Sequence, residues 1–169
     1  LLWLLSDARN DATLEAALAR LPRGSGFVFR HYHLSPEARE ARWHSLRRLA
    51  HARGHLAIYA GPAHEARALR ADGIYGAPAS PVVVHGLLTL ATAHDFAELA
   101  CARRQGADAV LLSPVFPTRS HPGGPTLGPL RFRLLARNSR VPVIALGGMT
   151  AARARRLGWP RWAAIDGLV

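Results

Sequence analysis

The chain contains no lysine; all 22 of its basic side chains are arginine, set against 11 acidic ones for a formal charge of +11. An arginine excess invites a nucleic-acid reading. Here the arginines scatter over several predicted helices instead of forming one stripe, which disfavours RNA or DNA as a partner. The bias, alongside abundant alanine, fits genome composition equally well. The single cysteine, Cys101, excludes an internal disulfide and a clustered thiolate metal site. No apolar run approaches the roughly 20 residues that span a bilayer, and no charged leader is read before Leu1. The expectation is a cytosolic protein without a membrane partner. The first apolar run also lacks a G-x-G-x-x-G turn, which argues against a dinucleotide site and an open doubly wound sheet.

What is present is a regular alternation over 169 residues, enough for one substantial core. Leu1 to Ser6 reads as a buried strand closed by Asp7 and Asn10, and a helix starts at Asp11 or Thr13. Gly26 to Phe29 is a second strand. Ser35-Pro36-Glu37 supplies a cap, a first-turn proline and an early acid for a helix running to Gly54. Strands follow at His55 to Tyr59, Gly73 to Tyr75, Leu87 to Ala91, Ala109 to Leu112, Val143 to Leu146 and Trp162 to Ile165. Thr92 is read as the cap of the helix that ends at Gly106, with Asp95 three residues later. The prolines and glycines of residues 76–86 leave little room for a helix, so the fourth crossover is expected to be degenerate. Eight strands alternating with helices predict an α/β fold, a compact (β/α)8 TIM barrel forming a single domain over residues 1–169, with both termini expected to continue outside this stretch. The phrases Arg70-Ala-Asp-Gly and Gly106-Ala-Asp-Ala recur before strands four and six and read as one helix-to-strand turn used twice.

Chemistry in such a barrel gathers at the carboxyl ends of the strands, with phosphate commonly held after strands seven and eight. Gly147-Gly148 stands there, and Thr150 opens the next helix, so close-approaching amides and a helix amino end suit an oxyanion. A plain tight turn is the alternative reading. After strand six, the loop from Ser113 carries Thr118, Arg119, Ser120 and His121, a donor-rich set suited to anions.

These residues carry a resemblance. Gly106-Ala-Asp, Ser113-Pro-Val-Phe-Pro-Thr118-Arg-Ser-His121, Leu127-Gly128 and Pro142-Val-Ile-Ala-Leu-Gly147-Gly148-Met149 resemble the motifs of the thiamine-phosphate synthase and TenI family. The resemblance covers the whole strand order, but only the last third is specific. It implies the (β/α)8 barrel and a ligand bearing thiazole and phosphate groups. The expected partner is thus a small phosphorylated substrate, with a homodimer left open. For the synthase branch it implies condensation of hydroxymethylpyrimidine pyrophosphate with a thiazole phosphate, assisted by Mg2+ on carboxylates after strands three and four. For the TenI branch it implies a metal-independent thiazole tautomerase in which His94, matching the family's Ser-x-His after strand five, is the acid/base.

The departures from the pattern are concentrated. Ala60-Gly61 stands where the resemblance implies Asn-Asp, and Ser80 where it implies an aspartate; neither position offers Mg2+ a hard anionic oxygen. After strand two, one cation, Arg30, is kept among Arg30-His31-Tyr32. His121 replaces a lysine, and Asp166 stands where a serine is usual, its charge opposing a phosphate unless Arg119 or Arg161 offsets it. The catalytic candidate is therefore His94, and the substrate or phosphate candidates are Arg30, Thr118, Arg119, Ser120, His121, Gly147 and Gly148. His94 has two readings: a proton shuttle kept neutral by a helix dipole, or a histidine that is merely part of the cap. A noncatalytic ligand-binding or regulatory module is the further alternative. No metal site is expected. His31 and His33 have a spacing seen in metal sites, but no third ligand is nearby in sequence. Arg153, Arg155 and Arg156 follow the Gly-Gly turn on one helix and read as a solvated face, with Arg153 reaching a ligand phosphate as the alternative.

Overall fold

The computed structural model describes residues 1–77, 84–120 and 122–168. Eight parallel strands close into a barrel in sequence order. They are β1 (Leu2–Leu5), β2 (Gly26–Phe29), β3 (Leu56–Tyr59), β4 (Gly73–Gly76), β5 (Leu88–Ala93), β6 (Ala109–Leu112), β7 (Val143–Ala145) and β8 (Trp162–Ala164). The helices are α1 (Leu14–Arg20), α2 (Pro36–Ala52), α3 (Ala63–Ala68), α4 (Phe96–Arg104), α5 (Gly128–Asn138) and α6 (Ala151–Leu157), with a 3-10 turn at Asp11–Thr13. The seam pairs Trp3 with Ala163 and Leu4 with Ala164. Among the described residues no helix is long and apolar enough to cross a membrane.

Period-two alternation divides the core. Trp3, Leu5, Val28, Ile58, Leu90, Leu111, Ile144 and Ala163 fill the barrel interior. The intervening residues pack outward on the helices: Leu4, Phe27, Phe29 and Tyr59 meet α1, α2 and α3, and Val110, Leu112 and Val143 meet α4, α5 and α6. Strands covered on both faces have no polar side, and so the sequence reads as short continuous apolar runs.

The repeated Ala-Asp phrase is one device built twice. Asp72 accepts from the Ala57 amide at 2.7 Å and Asp108 from the Thr89 amide at 2.8 Å, and each aspartate's own N–H returns to the same residue's carbonyl. Each pair of strands is thereby pinned in register at its amino end. Gly106 sits at φ +75°, and the equivalent Arg70 is forced to φ +53°.

The fifth unit corrects the sequence reading. Strand β5 continues to Ala93, pairing Thr92 with Leu111 and Ala93 with Leu112, so Thr92 is not a cap. Asp95 caps α4, accepting from the Glu98 amide at 2.9 Å. Both residues begin an acid-at-three pattern; the ladder with β6 takes Thr92, and the cap falls to the next candidate. Between β4 and β5 the described residues include no helix; residues 78–83, including Ser80, lie outside them.

Candidate functional site

The carboxyl end of the barrel holds two adjoining cavities that the sequence candidates line, and a third, about 530 Å³, lined by Tyr32, Ala60, Gly61 and Tyr75. The cup after β7 and β8, about 230 Å³, is lined by Thr118, Arg119, Ser120, Gly147, Gly148, Thr150, Arg153 and Asp166. The mouth cavity, about 470 Å³, is lined by Arg30, Tyr32, Tyr75, Thr92, His94, Ser113, Thr118, Ser120 and Gly147. Thr118, Ser120, Leu146, Gly147 and Ile165 belong to both. Every described candidate from the sequence therefore lines one connected space; His121 lies outside the described residues.

The cup depends on backbone that only glycine accepts. Gly147 has φ +91°, and a Cβ on it would stand 2.6 Å from Cα of Pro114. The two chains lie so close because Val115 and Phe116 donate to the Leu146 and Gly147 carbonyls at 2.9 and 3.1 Å. The Gly147 and Gly148 amides donate to no protein acceptor among the described residues, which leaves them for a ligand oxyanion. Arg153 binds the Gly148 carbonyl and lies over the Phe116 ring, 5.1 Å from its centre.

Asp166 does line this cup, but neither Arg119 nor Arg161 pairs with it. Arg161 donates to the Val143 carbonyl at 3.4 Å, below the cup. The partner is Arg9, whose Nη1 is 3.6 Å from Asp166 Oδ2. The same guanidinium donates to Ser120 Oγ and to Asp7 Oδ1, each at 2.9 Å. Sequence reasoning missed Arg9. Its signal was the polar cluster Asp7-Ala-Arg-Asn10 closing the first strand. Asn10 is buried and donates to the Leu5 and Ile165 carbonyls at 3.0 and 2.9 Å, tying this loop to β8. Asp7 also lies 3.6 Å from Arg30 Nη2. Burial opposes ionisation of Asp7, but the hydrogen bonds and charge of Arg9, with the charge of Arg30, outweigh it and hold the carboxyl below its ordinary value.

His94 stands one residue before the cap, and it is Glu98, not the helix end alone, that sets its surroundings. Glu98 Oε2 accepts from the His94 amide at 2.7 Å and lies 2.8 Å from Nδ1. An ionised carboxylate only accepts, so Nδ1 carries a proton, and in the neutral imidazole the lone pair is then on Nε2. No protein group among the described residues bonds Nε2. Across the mouth, burial pushes the Tyr75 phenol up to about 12, so it stays protonated and able to donate.

The place implied for Mg2+ has a different content. Ala60 and Gly61 offer no side-chain oxygen, and a Cβ on Gly61 would lie 2.7 Å from the Tyr59 ring. Arg39 stands beside the third cavity: it donates to Tyr59 Oη and, at 2.7 Å, to the Ala60 carbonyl. Its guanidinium sits 4.3 Å over the Tyr59 ring and 5.6 Å from that of Tyr32. Glu65, the carboxylate beside Gly61, has Oε2 3.9 Å from Arg39 Nη1. A cation already in place, with its carboxylate paired to it, does not fit a magnesium centre.

Comparison with known proteins agrees with this fold. The family model described as thiamine monophosphate synthase matches residues 2–158. A protein of Aquifex aeolicus (strain VF5), provisionally assigned as thiamine-phosphate synthase 2, is 37% identical over 59 residues; that stretch is 35% of this chain and 32% of the relative. Among solved structures, the thiamine phosphate pyrophosphorylase of Pyrococcus furiosus superposes with a TM-score of 0.81 at 22% identity, covering 97% of this chain and 84% of that one. The thiamine phosphate pyrophosphorylase of Bacteroides thetaiotaomicron gives 0.63 at 15% identity, with 97% and 81% covered. FabK of Thermotoga maritima gives 0.73 at 18% identity, with 98% and 58% covered. At these identities the superpositions establish the barrel alone. The family model, matched over most of the chain, places this protein in the thiamine monophosphate synthase family.

Proposed function

We propose that this chain binds a thiazole phosphate, or a closely related phosphorylated small molecule, and moves a proton on its ring through His94 without a metal. The observation that carries this reading is the shared wall of the two cavities. A phosphate on the Gly147 and Gly148 amides leaves its ring at the mouth where His94 stands. Arg119 and Arg153 line the cup, and Arg9 offsets Asp166, so the cup can accept an anion.

In the proposed reaction Nε2 of His94 takes a proton from one ring position. The imidazolium formed is stabilised by Glu98, and the proton returns at another position to give the aromatic tautomer. No electron acceptor or leaving group is needed. General acid-base help of this kind contributes about 10²–10⁴-fold. Accordingly, His94→Ala is expected to lower tautomer turnover by at least about 100-fold while phosphate affinity stays within a few-fold. Wild-type turnover should be the same with magnesium or with a chelator. Full activity of His94→Ala would defeat the reading.

Family membership and Arg30 at the mouth favour a second reading, condensation of the thiazole phosphate with hydroxymethylpyrimidine pyrophosphate. Magnesium-dependent formation of thiamine phosphate from the two substrates would select it. Saturable binding of the phosphorylated thiazole with neither turnover would select a binding or regulatory module.

A further inference from the structure

Asp11, His31 and His33 each present a ligand atom within 4.8 Å of the others, at the carboxyl end of the barrel but outside both cavities. The third ligand was invisible in the sequence because it comes from a different loop, after β1, whereas the histidines follow β2. Strand alternation carries on past Phe29. Arg30 and Tyr32 line the mouth cavity, and His31 continues the outward row, its ring stacked on Phe29 at 4.6 Å and 8°. The His33 ring follows at 5.1 Å from that of His31.

We propose that Asp11, His31 and His33 form a binding site for a divalent transition cation of the Zn2+ class, bracing from behind the loop that carries Arg30 and Tyr32. Two imidazoles and one carboxylate suit such an ion and are poorly matched to Mg2+. Three protein ligands leave a fourth position for water.

The surroundings are those of a supported site. His31 is 1% exposed, with Nδ1 2.7 Å from Ser6 Oγ and Nε2 2.8 Å from Asp11 Oδ1. Ser6 Oγ also accepts the Arg30 amide at 2.7 Å. With a metal on Nε2, the ring proton moves to Nδ1 and donates to Ser6, whose two lone pairs can take both N–H groups. An outer hydrogen bond of this kind fixes the orientation of a ligating histidine. Opening the 2.8 Å contact to admit an ion takes a shift on the order of half an ångström, given metal-ligand distances of about 2.0–2.2 Å.

Arg42 is the countervailing charge. Its Nε donates to Asp11 Oδ1 at 2.8 Å and its Nη2 lies 2.7 Å from the same oxygen; Nη2 also donates to the Asp11 carbonyl at 2.9 Å. Glu15 accepts from both terminal nitrogens of Arg42 and cancels that charge. With neutral imidazoles the cluster of Asp11, Glu15 and Arg42 sums to −1, an anionic spot on a chain of charge +11.

The test is titration of chelator-treated protein with Zn2+ by calorimetry and with Co2+ by visible absorption. One equivalent should bind, and Co2+ should develop the ligand-field band of a nitrogen- and oxygen-coordinated ion. The exposed His33→Ala change and Asp11→Asn should each weaken binding by more than about tenfold, as second-sphere losses alone reach 10–100-fold. A control with His44→Ala and His51→Ala should leave it unchanged. Undiminished Zn2+ binding by His33→Ala, or no single equivalent in the wild-type chain, would overturn the assignment. The measurement involves no thiazole ligand, so its failure would leave the proposed function standing, and the reverse.

Discussion

The two halves of the barrel's carboxyl end have kept different things. After β6, β7 and β8 the backbone leaves amides without protein acceptors among the described residues and surrounds them with Arg119, Arg153 and an Asp166 offset by Arg9. After β3 a cavity of about 530 Å³ is lined by Tyr32, Ala60, Gly61 and Tyr75, and the charge beside it is the chain's own guanidinium, Arg39, held by Tyr59, Tyr32 and the Ala60 carbonyl. One half turns amides and guanidinium groups toward a cavity; the other has a guanidinium of its own beside the carboxylate of Glu65. Two regions of one barrel face can thus differ in content, because each is made from different loops on the same frame.

The contrast can be broken most severely at Gly147. Gly147→Ala puts a Cβ 2.6 Å from Pro114 at φ +91°, so the turn must open. Phosphorylated-ligand binding by calorimetry should fall below detection, with about 1–3 kcal/mol of stability lost in a denaturant melt. Unchanged affinity would mean that the amides there hold nothing.

Arg9→Ala sharpens it further. With Asp166 unpaired, affinity for the phosphorylated ligand should drop roughly tenfold, because two like unit charges about 4 Å apart repel by roughly 1 kcal/mol in bulk water to 4 kcal/mol near a protein surface, and this site is partly screened by solvent. Restoration by Arg9→Ala combined with Asp166→Ser would confirm that charge is the reason.

The frame beneath the two halves differs at one turn. Arg70→Gly relieves a left-handed backbone that the matching Gly106 adopts freely, and should raise stability by about 1 kcal/mol with no effect on ligand affinity. A loss of stability would mean that the Arg70 side chain matters more than its backbone.

The smallest effect is on acid stability. The folded Asp7 carboxyl lies below its ordinary value of 3.8. Its contribution is complete above 3.8 and disappears as pH falls through the folded value. Asp7→Asn should flatten the stability curve in that window and lower stability by a constant amount above it, neutrality included.

Much of this was legible in the residues. Short apolar runs gave the strands, and the doubled Ala-Asp phrase gave the pinned turns, because both are local chemistry. Thr92 was misread because two overlapping capping patterns compete, and the outcome is decided by pairing with β6, which the local sequence does not contain. Arg9 and Asp11 were hidden for a related reason. Their partners, Ser120 and Asp166 for the first and His31 for the second, are brought near only when the barrel closes. The metal half was easier to read by subtraction, since Ala60 and Gly61 lack oxygens, but nothing nearby in sequence pointed to Arg39, which arrives from α2.

Asn10 links the carbonyls of Leu5 and Ile165 across the seam between the first and last strands. The loop it anchors carries the guanidinium that makes the cup tolerant of an anion. The cup is therefore completed by the first and last strands of the barrel meeting, and affinity for any ligand held there is thermodynamically linked to keeping them together. A bound phosphate favours the closed form by RT ln(1 + [L]/Kd), about 2.7 kcal/mol at a hundredfold excess over Kd, so saturating ligand should slow hydrogen exchange most in β1 and β8, the strands that form the seam.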